Sequence, residues 1–457
     1  MGSCVFTKTT RINVPIETLF DWHTRVGAVS RLTPPWVPVQ LIHRNRPGVE
    51  KNVKLKFKLK IFNIPLVWES LHTAWCRNRF FIDCQTKGPF KKWQHVHRFE
   101  SRDSHSSYME DQVLFALPFW PLSRFVYPFA EKELSRVFTY RHSILKYDLE
   151  NYTGPAEKKR ILVSGASGTI GTMLVPFLQT LGHDVLSLVR NKKEVSEKNI
   201  FWDTEKGVLD LDTQAPFDAV INLNGEDITR GRWTENQQKT IIDSRIRPTQ
   251  LLASTLAKMK KKPDVFITSS AIGFYGDGRE TCLTETADPG DLFISRVCSQ
   301  WEKAAKPAEK AGIRLVTLRT GVVLSPSGGA LKKMAPAFKA GIGAVIGRGR
   351  QYISWISMDD VLYAIHHILE TRTIKGPVNL TAPVPVTNHE FSKQLGHVFS
   401  KPVFLFLPRI IVTSIWGRMG QETLLTSARV KPEKLLNSGF IFRHKTLPPA
   451  LQHVLGR

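Results

Sequence analysis

The chain has 457 residues, more than one ordinary core accommodates, so two or three domains are expected. With 42% hydrophobic and 23% charged residues, its composition is that of a globular protein and excludes a fibrous or disordered chain. The net charge is +24, yet residues 1–150 hold 23 of the Lys/Arg and 13 of the Asp/Glu, so the basicity is spread over both parts and not gathered in a tail. No nucleic-acid module accompanies it, so specific nucleic-acid binding is not expected, and membrane contact is peripheral at most. Cys4, Cys76, Cys84, Cys282 and Cys298 are scattered without a CxxC pair, which predicts reduced thiols, a cytoplasmic location and no metal site. With no leader pattern and no run of about 18 apolar residues, neither a secreted nor a membrane-spanning protein is expected.

Residues 1–150 alternate more than they coil. A helical stretch at Ile16–His23 precedes Lys54-Leu55-Lys56-Phe57-Lys58-Leu59-Lys60, whose period of two predicts a strand with one apolar and one lysine face. Those lysines coat a solvated face or guard an edge strand. Strand-like runs follow around Val67–Trp68, Phe80–Cys84 and His95–Phe99, and then a long amphipathic helix over 129–149, with Pro128 placed for a helix start. His95 and His97 share a strand face with Asp83 and Glu100 near in sequence; without a third ligand they read as structural. Trp36, Trp68, Phe90, Trp93, Phe115 and Phe119 either line a cavity or fill a core. The order of elements, with the phrases FDWHTRVGAVSRLTPPW and GPFKKWQHVHRFE, resembles the START-like, polyketide-cyclase-like helix-grip fold. That resemblance implies a cavity for a hydrophobic ligand.

A polar Gly-Pro stretch over 151–159 predicts a linker. Beyond it, Ile161-Leu162-Val163 runs into Gly165-Ala166-Ser167-Gly168-Thr169-Ile170-Gly171, then a helical pattern, Gly182 and a second strand over 185–189. Strand, glycine turn, helix and strand make a βαβ unit whose helix N-terminus presents free N–H groups to a pyrophosphate. The second strand ends at Arg190, where a site reading a ribose hydroxyl places an acid; an arginine suits a 2′-phosphate, so NADP(H) is expected rather than NAD(H). Alternation continues through a strand ending at Leu223-Asn224-Gly225, a helix over 234–260, a strand over 265–270 and a helix over 293–311. A strand over 314–320 then leads to Val323. In open α/β sheets ligands sit outside the carboxyl ends of the strands, which is where Leu223, Asn224, Ser269, Ser270 and Val323 fall.

GASGTIG, INLNGEDI, GRWTENQQKTIIDSR, TSSAIGFYG, LRTGVVLSPSGGALKKM, SWISMDD and GPVNLTAPVPVTN occur in order and resemble the epimerase-like branch of the extended short-chain dehydrogenase/reductase superfamily over 160–455. The implied fold class is α/β: a helix-grip α+β domain (1–150), the linker, a Rossmann doubly wound parallel-sheet domain (160–400) and a small C-terminal helical lobe (401–457). The resemblance implies cofactor contacts at Gly165, Ser167, Gly168, Thr169, Ile170, Gly171, Arg190, Leu223, Asn224, Arg245, Ser269 and Val323. It implies a catalytic serine at Ser270, but the tyrosine and lysine of the superfamily's Tyr-x-x-x-Lys helix fall near Phe293 and Val297, which transfer no proton. Tyr275 is the first candidate substitute, with Glu285, Arg296 and Cys298 weighed beside it. Asp359 is expected to cap a helix over 360–370. The glycine-rich run 341–350 reads as a substrate-side loop. Two functions stand: an NADP(H)-dependent oxidoreductase or epimerase-like enzyme acting on an apolar or anionic small molecule, or a catalytically reduced NADP(H)-binding sensor. A third, membrane attachment through Val403–Trp416, rests on little beyond charge.

Overall fold

The computed structural model describes residues 3–61, 64–118, 125–152, 157–229 and 231–457. Phe119 and part of the 151–159 linker lie outside them. The chain divides into two compact units. No helix among the described residues is long and apolar enough to cross a membrane.

The first unit carries β1 (Cys4–Ile12), α1 (Ile16–Thr24), α2 (Ala28–Arg31), β2 (Val39–Arg44), β3 (Lys54–Ile61), β4 (Ile64–Cys76), β5 (Phe80–Lys87), β6 (Lys92–Asp103), β7 (Ser106–Ala116) and the 25-residue α3 (Tyr127–Asn151). The strands form one seven-stranded antiparallel sheet in the order β1-β7-β6-β5-β4-β3-β2. One face is buried by Phe138, Ile144, Leu145 and Leu149 of α3 and by Phe20 and Trp22 of α1 against Ile12, Phe81, Met109 and Val113. Arg31 of α2 donates to both carboxylate oxygens of Asp148 on α3 at 2.8 and 2.9 Å, with both side chains fully buried. The lysine strand is β3, which lies inside the sheet because β2 forms the edge. Its lysines therefore coat a solvated face and do not guard an edge. Trp68, Phe90 and Trp93 pack against one another in tilted and edge-to-face contacts with centroids 4.7–5.6 Å apart, while Phe115 is core.

The second unit continues with β8 (Arg160–Ser164), α4 (Gly171–Thr180), β9 (Asp184–Val189), β10 (Asn199–Phe201), β11 (Ala219–Asn222), α5 (Glu235–Lys258), β12 (Val265–Ala271), β13 (Cys282–Leu283), α6 (Phe293–Ala304), α7 (Lys306–Lys310) and β14 (Arg314–Thr320). Then come β15 (Val322–Leu324), α8 (Gly329–Lys339), β16 (Ala344–Ile346), β17 (Tyr352–Ile353), β18 (Trp355–Ser357), α9 (Met358–Glu370) and β19 (Gly376–Leu380). Seven strands form a parallel sheet in the order β10-β9-β8-β11-β12-β14-β19. The order reverses between β8 and β11, the crevice where a doubly wound sheet binds its ligand. Val220, Phe266 and Leu315 bury one sheet face against Leu252 and Leu256 of α5. The helix expected over 293–311 is two helices, because Pro307 begins a new one at its first turn.

The remaining elements are β20 (Val386–Thr387), α10 (Asn388–Val398), β21 (Leu405–Leu407), α11 (Arg409–Met419), β22 (Arg429–Val430), α12 (Glu433–Asn437) and α13 (Leu447–Leu455). They are interwoven with what precedes them: β16, inside the run expected to be a loop, pairs with β21, and β13 pairs with β22. α9 corrects another expectation. Its cap is Ser357, whose Oγ accepts from Asp360 N at 3.1 Å, and not Asp359. Asp359 instead binds His453 (2.7 Å) and Arg443 (3.4 Å), while Asp360 accepts the backbone N–H groups of Arg443 (2.7 Å) and His444 (3.1 Å). Phe404, Phe406, Ile410 and Ile415 in the apolar segment remain exposed.

Candidate active site

The turn between β8 and α4 is built by its glycines. Gly165 has φ +75°, and a Cβ there would lie 2.8 Å from the backbone carbonyl of Leu223 on the neighbouring strand end. A Cβ on Gly171 would overlap the backbone of Gly165 and Ala166. Gly168 differs: its Cβ would meet only Gly165 O, at 3.2 Å, and otherwise faces open space. The turn closes through Gly168 N donating to Gly165 O at 3.0 Å. The N–H groups of Ser167, Thr169 and Ile170 form no hydrogen bond among the described residues. A cradle of unmatched donors at a helix N-terminus, with one glycine open to the outside, fits the pyrophosphate of a dinucleotide.

Beside it the end of β11 is fixed from below. Asn222, fully buried, accepts from Ser164 Oγ (2.8 Å) and donates to Thr249 Oγ1 (2.8 Å) and Thr268 Oγ1 (3.0 Å). Asn224 donates to both Ser164 and Asn222 at 2.7 Å, so Leu223 and Asn224 are presented on a rigid ledge. Arg245 lies beneath that ledge. It is 7% exposed, donates to Glu226 O at 2.8 Å and Ile241 O at 3.0 Å, and stacks on Trp301, so it props the 223–226 turn from inside. Arg190 follows the last residue of β9 and is exposed, with no side-chain hydrogen bond or ion pair among the described residues. Val323, on β15, is half-buried. A contact that sequence reasoning missed joins the turn to the segment before α8: Thr169 occupies the space into which a Cβ on Gly328 would project. The paired glycines at 328–329 were its only signal.

The expected catalytic residues meet in an interior network. Ser270 Oγ donates to Glu302 Oε1 at 2.8 Å; Arg319 holds both oxygens of Glu302 at 2.9 and 3.0 Å and donates to Tyr275 Oη at 3.0 Å; Tyr275 in turn donates to Asn379 Oδ1 at 2.6 Å. Ser270 and Tyr275 are 3% and 4% exposed. Burial raises the Tyr275 phenol above its usual range, only partly offset by Arg319. Burial works against the Arg319 charge, but the hydrogen bonds and charge of Glu302 outweigh it and hold the guanidinium more firmly protonated. Phe293 and Val297, at the positions of the missing pair, are buried against Trp233, Ile241 and Tyr275. Ser269 is half-buried at the end of β12.

The other substitutes fall elsewhere. Glu285 is no loop-solvating carboxylate: it is buried and accepts the backbone N–H groups of Asn379 (3.0 Å) and Lys434 (3.2 Å). Arg296 is on the surface, bonded to Asp291 O. Cys298 is enclosed, and burial pushes its thiol up to about 12.

Comparison with known proteins places these features in a wider set. Residues 161–380 match the model of the NAD dependent epimerase/dehydratase family, and residues 407–454 match a domain of unknown function, DUF1731. An epimerase family protein of Mycobacterium bovis is 39% identical over 297 residues, 65% of this chain and 98% of the relative. The human epimerase family protein SDR39U1 is 34% identical over 65% of this chain and 99% of its own length. Its isoform 2, solved with NADPH, superposes with a TM-score of 0.60 at 32% identity, over 65% of this chain and 98% of that one. A structure described as a nucleoside-diphosphate sugar epimerase from Corynebacterium glutamicum matches 99% of this chain and 90% of its own, with TM-score 0.82 and 30% identity.

Proposed function

This chain belongs to the NAD dependent epimerase/dehydratase family, and we propose that it is an NADP(H)-dependent oxidoreductase or epimerase-like enzyme acting on a small molecule. The observation that carries this reading is the turn at 165–171, with its unmatched N–H groups and the open face of Gly168. Ser167, Thr169 and Ile170 would hold the pyrophosphate through their backbone, Leu223 and Asn224 would flank it from the β11 ledge, and Ser269 and Val323 would line the path toward the nicotinamide. Arg190, exposed and uncommitted, would form the bidentate contact to a 2′-phosphate that selects NADP(H) over NAD(H). Bound nicotinamide supplies hydride transfer. Arg245 is assigned to positioning the ledge and not to touching the cofactor.

Ser270 and Tyr275 are likewise assigned as positioning residues. Each hydroxyl proton is already given to an interior acceptor, so neither is poised to protonate a substrate. With Glu302, Arg319 and Asn379 they tie β12, α6, β14 and β19 together below the substrate space. In the first unit, we read the seven-stranded sheet closed by α3 as the START-like helix grip. Nothing in the comparisons favours the catalytically reduced sensor.

Fluorescence titration with NADPH and NADH, on the wild type and Arg190→Ala, tests this reading. Preference for NADPH in the wild type, lost by at least tenfold in the variant with NADH binding unchanged, is expected. Equal affinity for the two nucleotides, or binding of neither, refutes it.

A further inference from the structure

The first unit holds a cluster that the nucleotide site does not use. On β6, His95 and His97 are two residues apart and share the face covered by α3; in the register of the sheet Asp83 of β5 lies opposite His95, and Asp111 of β7 opposite His97. Four metal-ligating side chains from three adjacent strands are thus set on one buried face, and His142 of α3 reaches the same point from across the core.

Each imidazole has one nitrogen toward each carboxylate. His95 Nδ1 and His97 Nε2 lie 3.4 and 3.5 Å from Asp83 Oδ2. Their other nitrogens, His95 Nε2 and His97 Nδ1, lie 3.0 and 2.7 Å from Asp111 Oδ1. The Asp83 separations are long for hydrogen bonds. They are close to the roughly 3.3–3.4 Å edge of a tetrahedron whose ligands stand about 2.0–2.1 Å from a central zinc ion. Asp111 takes the part of the outer carboxylate that orients metal-bound histidines. It is itself held by His142 Nε2 at 2.9 Å, and His142 by Thr10 at 2.8 Å; Ser70 donates to the free oxygen of Asp83 at 2.9 Å. His97 is 4% exposed, and its Nδ1 makes no aligned hydrogen bond despite the nearby Asp111 oxygen. Burial opposes the charge on both carboxylates, but the surrounding imidazoles outweigh it and keep them ionised.

We propose that Asp83 Oδ2, His95 Nδ1 and His97 Nε2 bind a divalent first-row metal ion of the zinc class, with Asp111 and His142 as its orienting shell. Two imidazoles and a carboxylate, with no thiolate among them, suit a borderline ion and not calcium or copper(I). The site lies in the first unit and is independent of the nucleotide reading.

The test uses the full-length protein, stripped with a chelator and then given zinc or, as a spectroscopic probe, cobalt(II). One equivalent of zinc retained after desalting, a raised melting temperature and visible cobalt bands of tetrahedral nitrogen–oxygen coordination are expected. Asp83→Asn and His97→Ala should each lower zinc affinity at least tenfold, while an unchanged far-ultraviolet circular dichroism spectrum of the same samples shows that the antiparallel sheet of the first unit is folded. The cobalt spectrum of the wild type stands even where a variant does not fold. Absence of stoichiometric zinc in the wild type, or retention by both folded variants, overturns the proposal. The cluster is then a closed ion network. Burial opposes the charge on His95, but the two aspartates outweigh it and raise its pKa; with the buried guanidinium of Arg141 on α3, drawn to both carboxylates, it balances their charge.

Discussion

Adding one methyl group at two glycines of the nucleotide turn separates what the turn needs to fold from what it needs to bind. Alanine at Gly165 is forced into a left-handed conformation at φ +75°, which costs about 1–2 kcal/mol. Its Cβ also presses on the Leu223 carbonyl at 2.8 Å, and because both partners are backbone, relief requires moving a strand end, about 1–3 kcal/mol more. Gly165→Ala should therefore destabilise the ligand-free protein by about 2–5 kcal/mol. Alanine at Gly168 meets only Gly165 O at 3.2 Å, which a small shift accommodates, so the ligand-free protein should stay within about 1 kcal/mol of wild type. That methyl projects where we place the pyrophosphate and should weaken NADPH binding by about 1–3 kcal/mol, or roughly five- to 150-fold. Urea denaturation without nucleotide and fluorescence titration with NADPH read the two effects separately. Wild-type affinity in a folded Gly168→Ala protein would refute placement of the pyrophosphate at this turn. Unchanged stability of Gly165→Ala would refute the close approach to β11.

Asp148→Asn leaves Arg31 buried without its charged partner and should cost about 3–5 kcal/mol in urea denaturation followed by tryptophan fluorescence; a loss below about 1 kcal/mol would contradict full burial of the pair. With its thiol pushed up to about 12, Cys298 should resist iodoacetamide in the native protein at pH 8 while exposed Cys282 reacts, and labelling of both at similar rates by mass spectrometry would show that Cys298 is accessible. Burial holds His453 below its usual range, against the pull of Asp359. The unfolded chain therefore takes up this proton first, near pH 6.5, and the stability due to neutral His453 is present above that value and falls away as pH drops toward the lowered folded value. His453→Gln should flatten the stability profile between pH 6.5 and 5, and an unaltered slope would discount the residue.

What could be read from the chain beforehand was local. The glycine turn, the strand ending at Arg190 and the alternation of 54–60 are each set by neighbours in sequence, and each shows its period or its punctuation directly. Which strand forms a sheet edge is not local, so the lysine face was legible but the interior position of β3 was not. The capping expectation failed because Ser357 and Asp359 are both suitable cap residues, and only the carboxylate's bonds to Arg443 and His453 decide between them. Ser270, Glu302, Arg319 and Asn379 come from four separate elements and Tyr275 from the turn that follows β12, and no spacing announces their union. The same holds for Asp83, His95, His97 and Asp111. The histidine pair is visible at period two, but its carboxylates are supplied by the register of β5 and β7 against β6.

The acid pair that opens α9 bears on the order in which the chain becomes a protein. Asp359 and Asp360 are buried at the start of a helix inside the nucleotide-binding unit, and their partners arrive 83 to 94 residues later in synthesis. Until residues 443–453 have left the ribosome, Asp359 lacks His453 and Arg443, and Asp360 has the Ser357 hydroxyl at 2.7 Å but not the N–H groups of Arg443 and His444. The parallel sheet of this unit therefore cannot settle strand by strand as it is made. A nascent chain halted near residue 400 should remain loose, open to proteases and dependent on chaperones, although every strand of the sheet has already been translated.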